Sequence, residues 1–440
     1  MKSRIIIKIV TFLIIFTIGF SALTRFTIAI DDINYQHIAG FYSEPEDSLD
    51  AVYIGSSNCF AYWNPAFAWD KFGICVYPYA CNSQLFFTTE YLIKETIKKQ
   101  PDALFIVNIN SLNDGEVDTQ QMHNILDCMP LSVNKLQLTK HLSDIGGYSI
   151  SERMEFYFPL IRYHSRWNNS ITSGVYRYEN NGLKGSSVYE PYLEYIEDIT
   201  PKYVLSNEKS KLSDDILNST DSLLDYCDEN NINVLFVTVP QAKPIEDIKR
   251  YNALNELIQS RGYKTLDLMD STTELKIDAT KDFYNDRHTN IHGSIKYTYY
   301  LSEYLIKNYK FTDKRNNPDY NDWNKAYEKY VDYITPHALP VEFNLEQRDF
   351  NLKEPGNLKL TMLSSQIKLN WDSVDGAQGY DIYKKTDNGP WTKILSTDKT
   401  DFIEPIDSMC NNTYTVVPFY TKNNLYYYGD FSYEGISTQQ

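Results

Sequence analysis

The chain has 440 residues, and 58 acidic against 42 basic side chains leave it a formal charge of −16. No Lys/Arg stripe suggests a nucleic-acid surface, and so acidic an exterior repels polyanionic polymers at long range, making a neutral or mixed glycan the easier polymer partner. Six cysteines, at 59, 75, 81, 128, 227 and 410, show neither a C-x-x-C pair nor regular spacing, so zinc and redox motifs are excluded. An even count permits disulfides in an exported chain, but a domain this large has core enough without them, and isolated buried thiols are expected.

Lys2, Arg4 and Lys8 precede an uncharged apolar run from Ile9 to Leu23, then Arg25 and a further apolar stretch to Ile30. A basic flank first means cytoplasm first, which orients residues 1–30 as a single-pass anchor with the rest of the chain outside. The uncharged core is shorter than the roughly 20 residues that span a bilayer, so a cleaved signal peptide is the alternative. Ser21-Ala-Leu23 is a poor small-x-small cleavage site, and Arg25 can snorkel while Phe26 to Ile30 extend the span, which favours the uncleaved anchor. Residues 31–47 are expected to form a linker.

From 48 to 310 strand-like and helix-like segments alternate. The strand-like runs are 51–54, 103–109, 234–239 and 264–268; the helix-like stretches are 88–99, 214–230, 247–260 and 294–308. Such alternation predicts a three-layer α/β unit with a parallel sheet, whose functional groups gather at the carboxyl ends of the strands. There the first strand breaks into Gly55-Ser56-Ser57-Asn58, and the last helix is preceded by Asn285-Asp-Arg-His288. A serine hydroxyl is a weak nucleophile until an imidazole within hydrogen-bond reach takes its proton, and Ser57 and His288 are the expected pair. Gly55 is expected to allow a sharp turn that points Ser57 and the following amides into one cleft. His288 and His292 are four apart but lack the H-E-x-x-H glutamate, and Gly293 suggests that the helix starts after them, so no metal site is expected.

Between 111 and 206 the pattern loosens into an aromatic-rich insertion over the cleft. Its functional part is expected at His164-Ser165-Arg166-Trp167, with Arg166 suited to a carboxylate or phosphate and Trp167 to stacking on a sugar. Residues 311–353 read as a linker holding one helix over 319–333, its aromatic face (Trp323, Tyr327, Tyr330) packed on the preceding domain. After 354 short alternating strands at 367–371, 379–383, 391–395 and 414–417 predict an all-β sandwich over 354–440.

The Gly55-Ser56-Ser57 and Asn285-x-x-His288 pair resembles the SGNH/GDSL hydrolases, with Gly-Ser-Ser in place of Gly-Asp-Ser, and in particular the membrane-anchored branch related to acyl transfer onto cell-surface polymers. Asn82-Ser-Gln84, Gln100-Pro101 before a strand, and the run from Pro159 to Trp167 are similar to that branch as well. The resemblance covers roughly residues 48 to 310 and implies an SGNH-like (flavodoxin-like) sheet and an acyl-serine intermediate without a cofactor. It makes Asn82, Gln84 and Asn110 the candidates for oxyanion or substrate binding, with Asn108 an alternative to Asn110. The family's acid position carries an amide here: Asn285 can accept from an imidazole N–H but cannot stabilise imidazolium by charge, and Asp286 and Asp282 are nearby substitutes. The last domain is similar to fibronectin type III modules, with Trp371 as core tryptophan and Tyr414 at the tyrosine-corner position.

Two functions are therefore expected in the alternative. One is an extracytoplasmic esterase or O-acyltransferase acting on an acylated cell-surface glycan or polymer, with a membrane acyl-donor protein as a possible partner. The other is a surface protein that keeps the cleft for glycan binding or adhesion.

Overall fold

In the computed structural model the described residues are 2–27, 33–112, 117, 119–166, 182–187, 199–270, 274–280, 282–334, 352–387, 391–406, 410–422, 425–429, 432 and 434–438. The chain opens with helix α1 (Lys2–Thr27), whose stretch Arg4–Thr24 is apolar over 21 residues. At 1.5 Å per residue that is about 31 Å, the thickness of a bilayer core; a signal sequence has the same character. Part of the expected linker is instead helix α2 (Ile33–Phe41), with Tyr35, His37, Ile38, Ala39 and Phe41 buried. The Tyr77 hydroxyl donates to the His37 carbonyl at 2.9 Å, and the Phe41 ring meets Tyr79 edge-on at 4.9 Å.

Five parallel strands follow: β1 (Ala51–Gly55), β2 (Val76–Ala80), β3 (Leu104–Asn108), β4 (Val234–Val237) and β5 (Lys264–Leu266), in the order β2-β1-β3-β4-β5. The register sets Ala51 beside Val76 on one side and Leu104 on the other. Alternate side chains enter opposite layers: Val52, Ile54, Phe105 and Val107 join one apolar cluster, while Ala51, Tyr53, Leu104 and Ile106 join another. Burial on both faces explains why these strands read as nearly continuous apolar runs. The missed strand was β2, because Pro78 interrupts it; as an edge strand it tolerates a residue with no N–H.

The connections are helical: α3 (Ser57–Tyr62), α4 (Pro65–Phe72), α5 (Thr89–Thr96), then α6 (Thr119–Leu126), α7 (Val133–Ile145), α8 (Ile150–Tyr157) and α9 (Pro159–Tyr163) of the insertion, followed by α10 (Asp214–Asn230) and α11 (Ile245–Ser260). A two-stranded ribbon, β6 (Phe283–Asn285) with β7 (His288–Thr289), leads into α12 (Ile291–Asn308). The last helix starts earlier than expected. Asn290 caps it through the N–H groups of His292 and Gly293, and Gly293 is required by space: a Cβ there would lie 2.4 Å from the Asp282 carbonyl oxygen. Strand order places the switch between β1 and β3, where chain connections depart in opposite directions.

Gly55 ends β1 for the same reason of space, and not for a left-handed turn. A Cβ on it would meet Cys59 Sγ at 2.5 Å and Asn108 Cβ at 2.8 Å, both in the packed interior. Gly55→Ala is expected to cost about 1–3 kcal/mol, as overpacking does. An unchanged urea midpoint at equal slope would show that Cys59 and Asn108 move aside freely.

Helix α13 (Asn321–Ile334) turns Trp323, Ala326 and Tyr330 inward, and Trp323 lies 5.9 Å from Trp69 of α4. Beyond it come β8 (Lys359–Met362), β9 (Gln366–Asn370), β10 (Gly379–Thr386), β11 (Trp391–Thr397), β12 (Asp401–Pro405), β13 (Asn412–Lys422), β14 (Leu425–Tyr428) and β15 (Ile436–Ser437). They form antiparallel sheets ordered β11-β10-β13-β14, with β15 also on β13, and β12-β9-β8. Ile367, Leu369, Trp371, Tyr380, Ile382, Tyr414 and Val416 fill the space between them. The Tyr414 hydroxyl donates to the Glu404 carboxylate, a side-chain partner where a tyrosine corner uses backbone. The six cysteines are thiols rather than disulfides, five of them buried.

Candidate functional site

Ser57 is the first residue of α3, at the carboxyl end of β1 and hence beside the switch point. His288 arrives from the other side on the β6–β7 ribbon, whose turn is held by one side chain. Asn285 Oδ1 accepts from the N–H groups of Arg287 at 2.9 Å and His288 at 3.0 Å, and lies 3.0 Å from His288 Nδ1. Two backbone donors on that oxygen identify it as the carbonyl end of the amide, so Nδ1 must carry the proton it shares with Asn285. The other nitrogen, Nε2, is then a bare acceptor, and it lies 2.7 Å from Ser57 Oγ. This is the tautomer in which an imidazole can take a serine proton.

The substitute acids are engaged elsewhere. Asp282 is buried, with Lys296 Nζ at 2.6 Å and the Asp278 N–H on the same oxygen. Its carboxyl is raised by burial, with Lys296 opposing. Asp286 faces Arg287 at 3.8 Å, and its carbonyl accepts from the Ala242 N–H. Asn285 is thus the residue on Nδ1. Burial, followed by the charge of Arg287, lowers the His288 pKa to about 4, with Asp286 acting the other way and Lys243 adding to the fall.

The asparagines at the end of β3 bond to each other and to the loop after β4. Asn110 Oδ1 accepts from the Val239 N–H at 2.8 Å and its Nδ2 donates to the Val239 carbonyl at 3.1 Å, which ties the loop after β3 to the loop after β4. Asn108 Oδ1 accepts from the Asn110 N–H. Asn82 has its contacts with Asn34 and Asn124, Gln84 accepts from Cys81 Sγ at 3.7 Å, and Arg166 lies in the turn 164–166 that packs on α1. Trp167 lies outside the described residues.

One site residue was not anticipated. Gln241, buried beyond the carboxyl end of β4, accepts from Asn58 Nδ2 at 3.3 Å, while its own Nε2 is buried with no partner among the described residues. The same loop touches the histidine turn, since Tyr62 donates to the Pro240 carbonyl and the Ala242 N–H reaches Asp286. An unsatisfied buried donor on a side chain bonded to Asn58, the neighbour of Ser57, is costly unless something else accepts from it. Its position just past a strand end was the available signal. The first turn of α3 adds the Ser57 and Asn58 amides, which have no intrahelical acceptor. Among the described residues no cluster of His, Cys, Asp and Glu could hold a metal.

A second buried imidazole shares this region. His37 is fully buried, its ring 4.2 Å from Phe60 and its Nε2 3.0 Å from Ser187 Oγ, and burial lowers its pKa to about 3. Between pH 6.5 and about 3 the unfolded chain binds a proton at this position that the folded chain does not. Stability is therefore full above 6.5 and falls as the pH drops through that window, by about 1.4 kcal/mol per unit. Replacing His37 by Gln is expected to flatten the dependence of unfolding free energy on pH between 7 and 5; parallel curves for the two proteins would refute it.

The fold and site together define an α/β protein with a Ser–His–Asn relay at the switch point of a parallel sheet, followed by antiparallel β-sheets. No protein-family model matches the chain, and no curated protein does. Among solved structures it is similar to one described as the crystal structure of FN3tt, at 19% identity over 19% of this chain and 89% of that one, with a TM-score of 0.15. It is also similar to a Fn3-like protein from Clostridium thermocellum, at 18% identity over 19% and 90%, with a TM-score of 0.16.

Proposed function

We propose that this chain is a membrane-anchored, extracytoplasmic esterase or O-acyltransferase of the SGNH type, acting on acyl groups of a cell-surface glycan or polymer. The observation that carries the proposal is the 2.7 Å contact between Ser57 Oγ and a His288 Nε2 that Asn285 leaves unprotonated. Ser57 Oγ attacks the acyl carbonyl carbon as His288 Nε2 takes its proton. The tetrahedral oxyanion is met by the Ser57 and Asn58 amides and by Gln241 Nε2, and its collapse expels the alcohol, which takes the proton from His288. Water or a glycan hydroxyl then attacks the acyl-Ser57 ester by the same steps in reverse order. The basic flank of Lys2, Arg4 and Lys8 before the apolar stretch supports an orientation with this chemistry outside the cell.

Asn285 also favours a second function, a glycan-binding or adhesion protein in which the relay no longer turns over, because an amide provides no charge for imidazolium. The deciding experiment is a fluorophosphonate probe applied to the full-length protein in detergent. Modification of Ser57, located by mass spectrometry and absent from His288→Ala, supports the enzyme; an unmodified Ser57 supports the binder.

A further inference from the structure

Among the described residues, helices α8 and α9 of the insertion carry exposed apolar side chains. Ile150 (82% exposed) and Met154 (39%) lie four apart on one face of α8; Phe158 (39%) follows at the non-helical junction, φ −130° and ψ 79°, and Ile161 (45%) on α9. The polar faces are occupied otherwise: Arg153 pairs with Asp144 at 2.6 Å, and Ser149 and Glu152 close a capping box.

These side chains are continuous with α1. Phe158 meets Phe20 edge-on at 5.6 Å, and α9 and the turn 164–166 pack on the same helix. Phe20 lies four residues before the end of the apolar stretch at Thr24, about 6 Å of helix rise. A side chain packed on Phe20 therefore sits at the depth to which interfacial helices sink their apolar faces, about 5–10 Å. Residues 150–166 carry three arginines against two glutamates in a chain of −16, so anionic headgroups are not repelled there as they are from the rest.

We propose that the face formed by Ile150, Met154, Phe158 and Ile161 docks into the outer leaflet of the bilayer, holding the insertion against the membrane beside α1. This rests on the anchoring proposed above. Lipid contact on both α1 and the insertion would restrict how the α/β unit sits over the surface, where a lone span would leave it free to swing.

Nitroxide labels on the full-length protein test it, in vesicles of phosphatidylethanolamine and phosphatidylglycerol and on a Cys410→Ser background. Labels at Met154→Cys and Ile161→Cys are expected to collide with oxygen several-fold more than with a water-soluble nickel chelate; labels at Ser151→Cys and at Ile403→Cys of β12 should show the reverse. Ile14→Cys in α1 reports the anchor separately. Lipid-like values at 14 with aqueous values at 154 and 161 would overturn the docking and leave the anchor standing. Aqueous values at 14 as well would remove both. Spin–spin broadening at 154 and 161 would assign the face to a second copy of the chain instead.

Discussion

Ser57→Ala is expected to lower acyl-ester turnover by on the order of 10³-fold or more, because the reaction then loses its covalent route and not merely a contact. His288→Ala should cost about as much, and the double variant little more than either, since hydroxyl and imidazole, 2.7 Å apart, act as one unit. A small chromogenic acetyl ester and the full-length protein suffice for the assay. The folded state is the control: Ser57 Oγ packs on the imidazole, and removing one oxygen leaves Asn285 and the β6–β7 turn in place. Turnover unchanged in Ser57→Ala would falsify the nucleophile. If turnover is absent from the natural protein, Asn285 becomes the question.

Asn285→Asp is expected to raise turnover on the order of 10- to 100-fold and to move the acid limb of the pH profile upward by about 1–3 units. The natural site has an imidazole whose pKa is lowered to about 4, so the base remains neutral, and hence competent, down to that pH. The same depression makes the imidazolium formed during attack costly. A carboxylate in place of the amide keeps the acceptor for the Arg287 and His288 N–H groups and adds a negative charge about where Nδ1 needs it, 3.0 Å away. Profiles of kcat/KM between pH 3 and 9 read both effects. Coincident acid limbs would show that a charge at position 285 does not reach the His288 imidazole, and absence of turnover from both proteins would move the assignment to the glycan-binding alternative.

These two variants ask whether the Ser57–His288 contact is catalytic; the two residues that make it are the pair expected from the chain. Ser57 and His288 are 231 positions apart, yet each stands at a place that local pattern identifies: the end of a fully buried strand, and the segment before a long amphipathic helix. β1, β3 and β4 are equally plain, because a strand buried on both faces must be apolar throughout. The helix 214–230 could be read to the residue, from its Ser213 cap to Asn231 in the left-handed conformation at its end.

What the chain alone left open are choices between equivalent side chains. Asn285, Asp286 and Asp282 were all within reach of His288 by count; the outcome depended on Lys296 claiming Asp282 and Arg287 standing beside Asp286. Asn110 carried the right residue type for an oxyanion donor, but its carbonyl and amide are both spent between two loops that meet only in the folded sheet. Gln241 had only its place just past the end of β4 as a signal, and α2 and β2 were hidden by a polar start and by Pro78. Periodicity and residue type report which faces of an element are buried, so they determined the sheet, the last helix and the pair at its mouth. Which hydrogen bonds are already satisfied depends on partners far along the chain, and only the tertiary structure decided that.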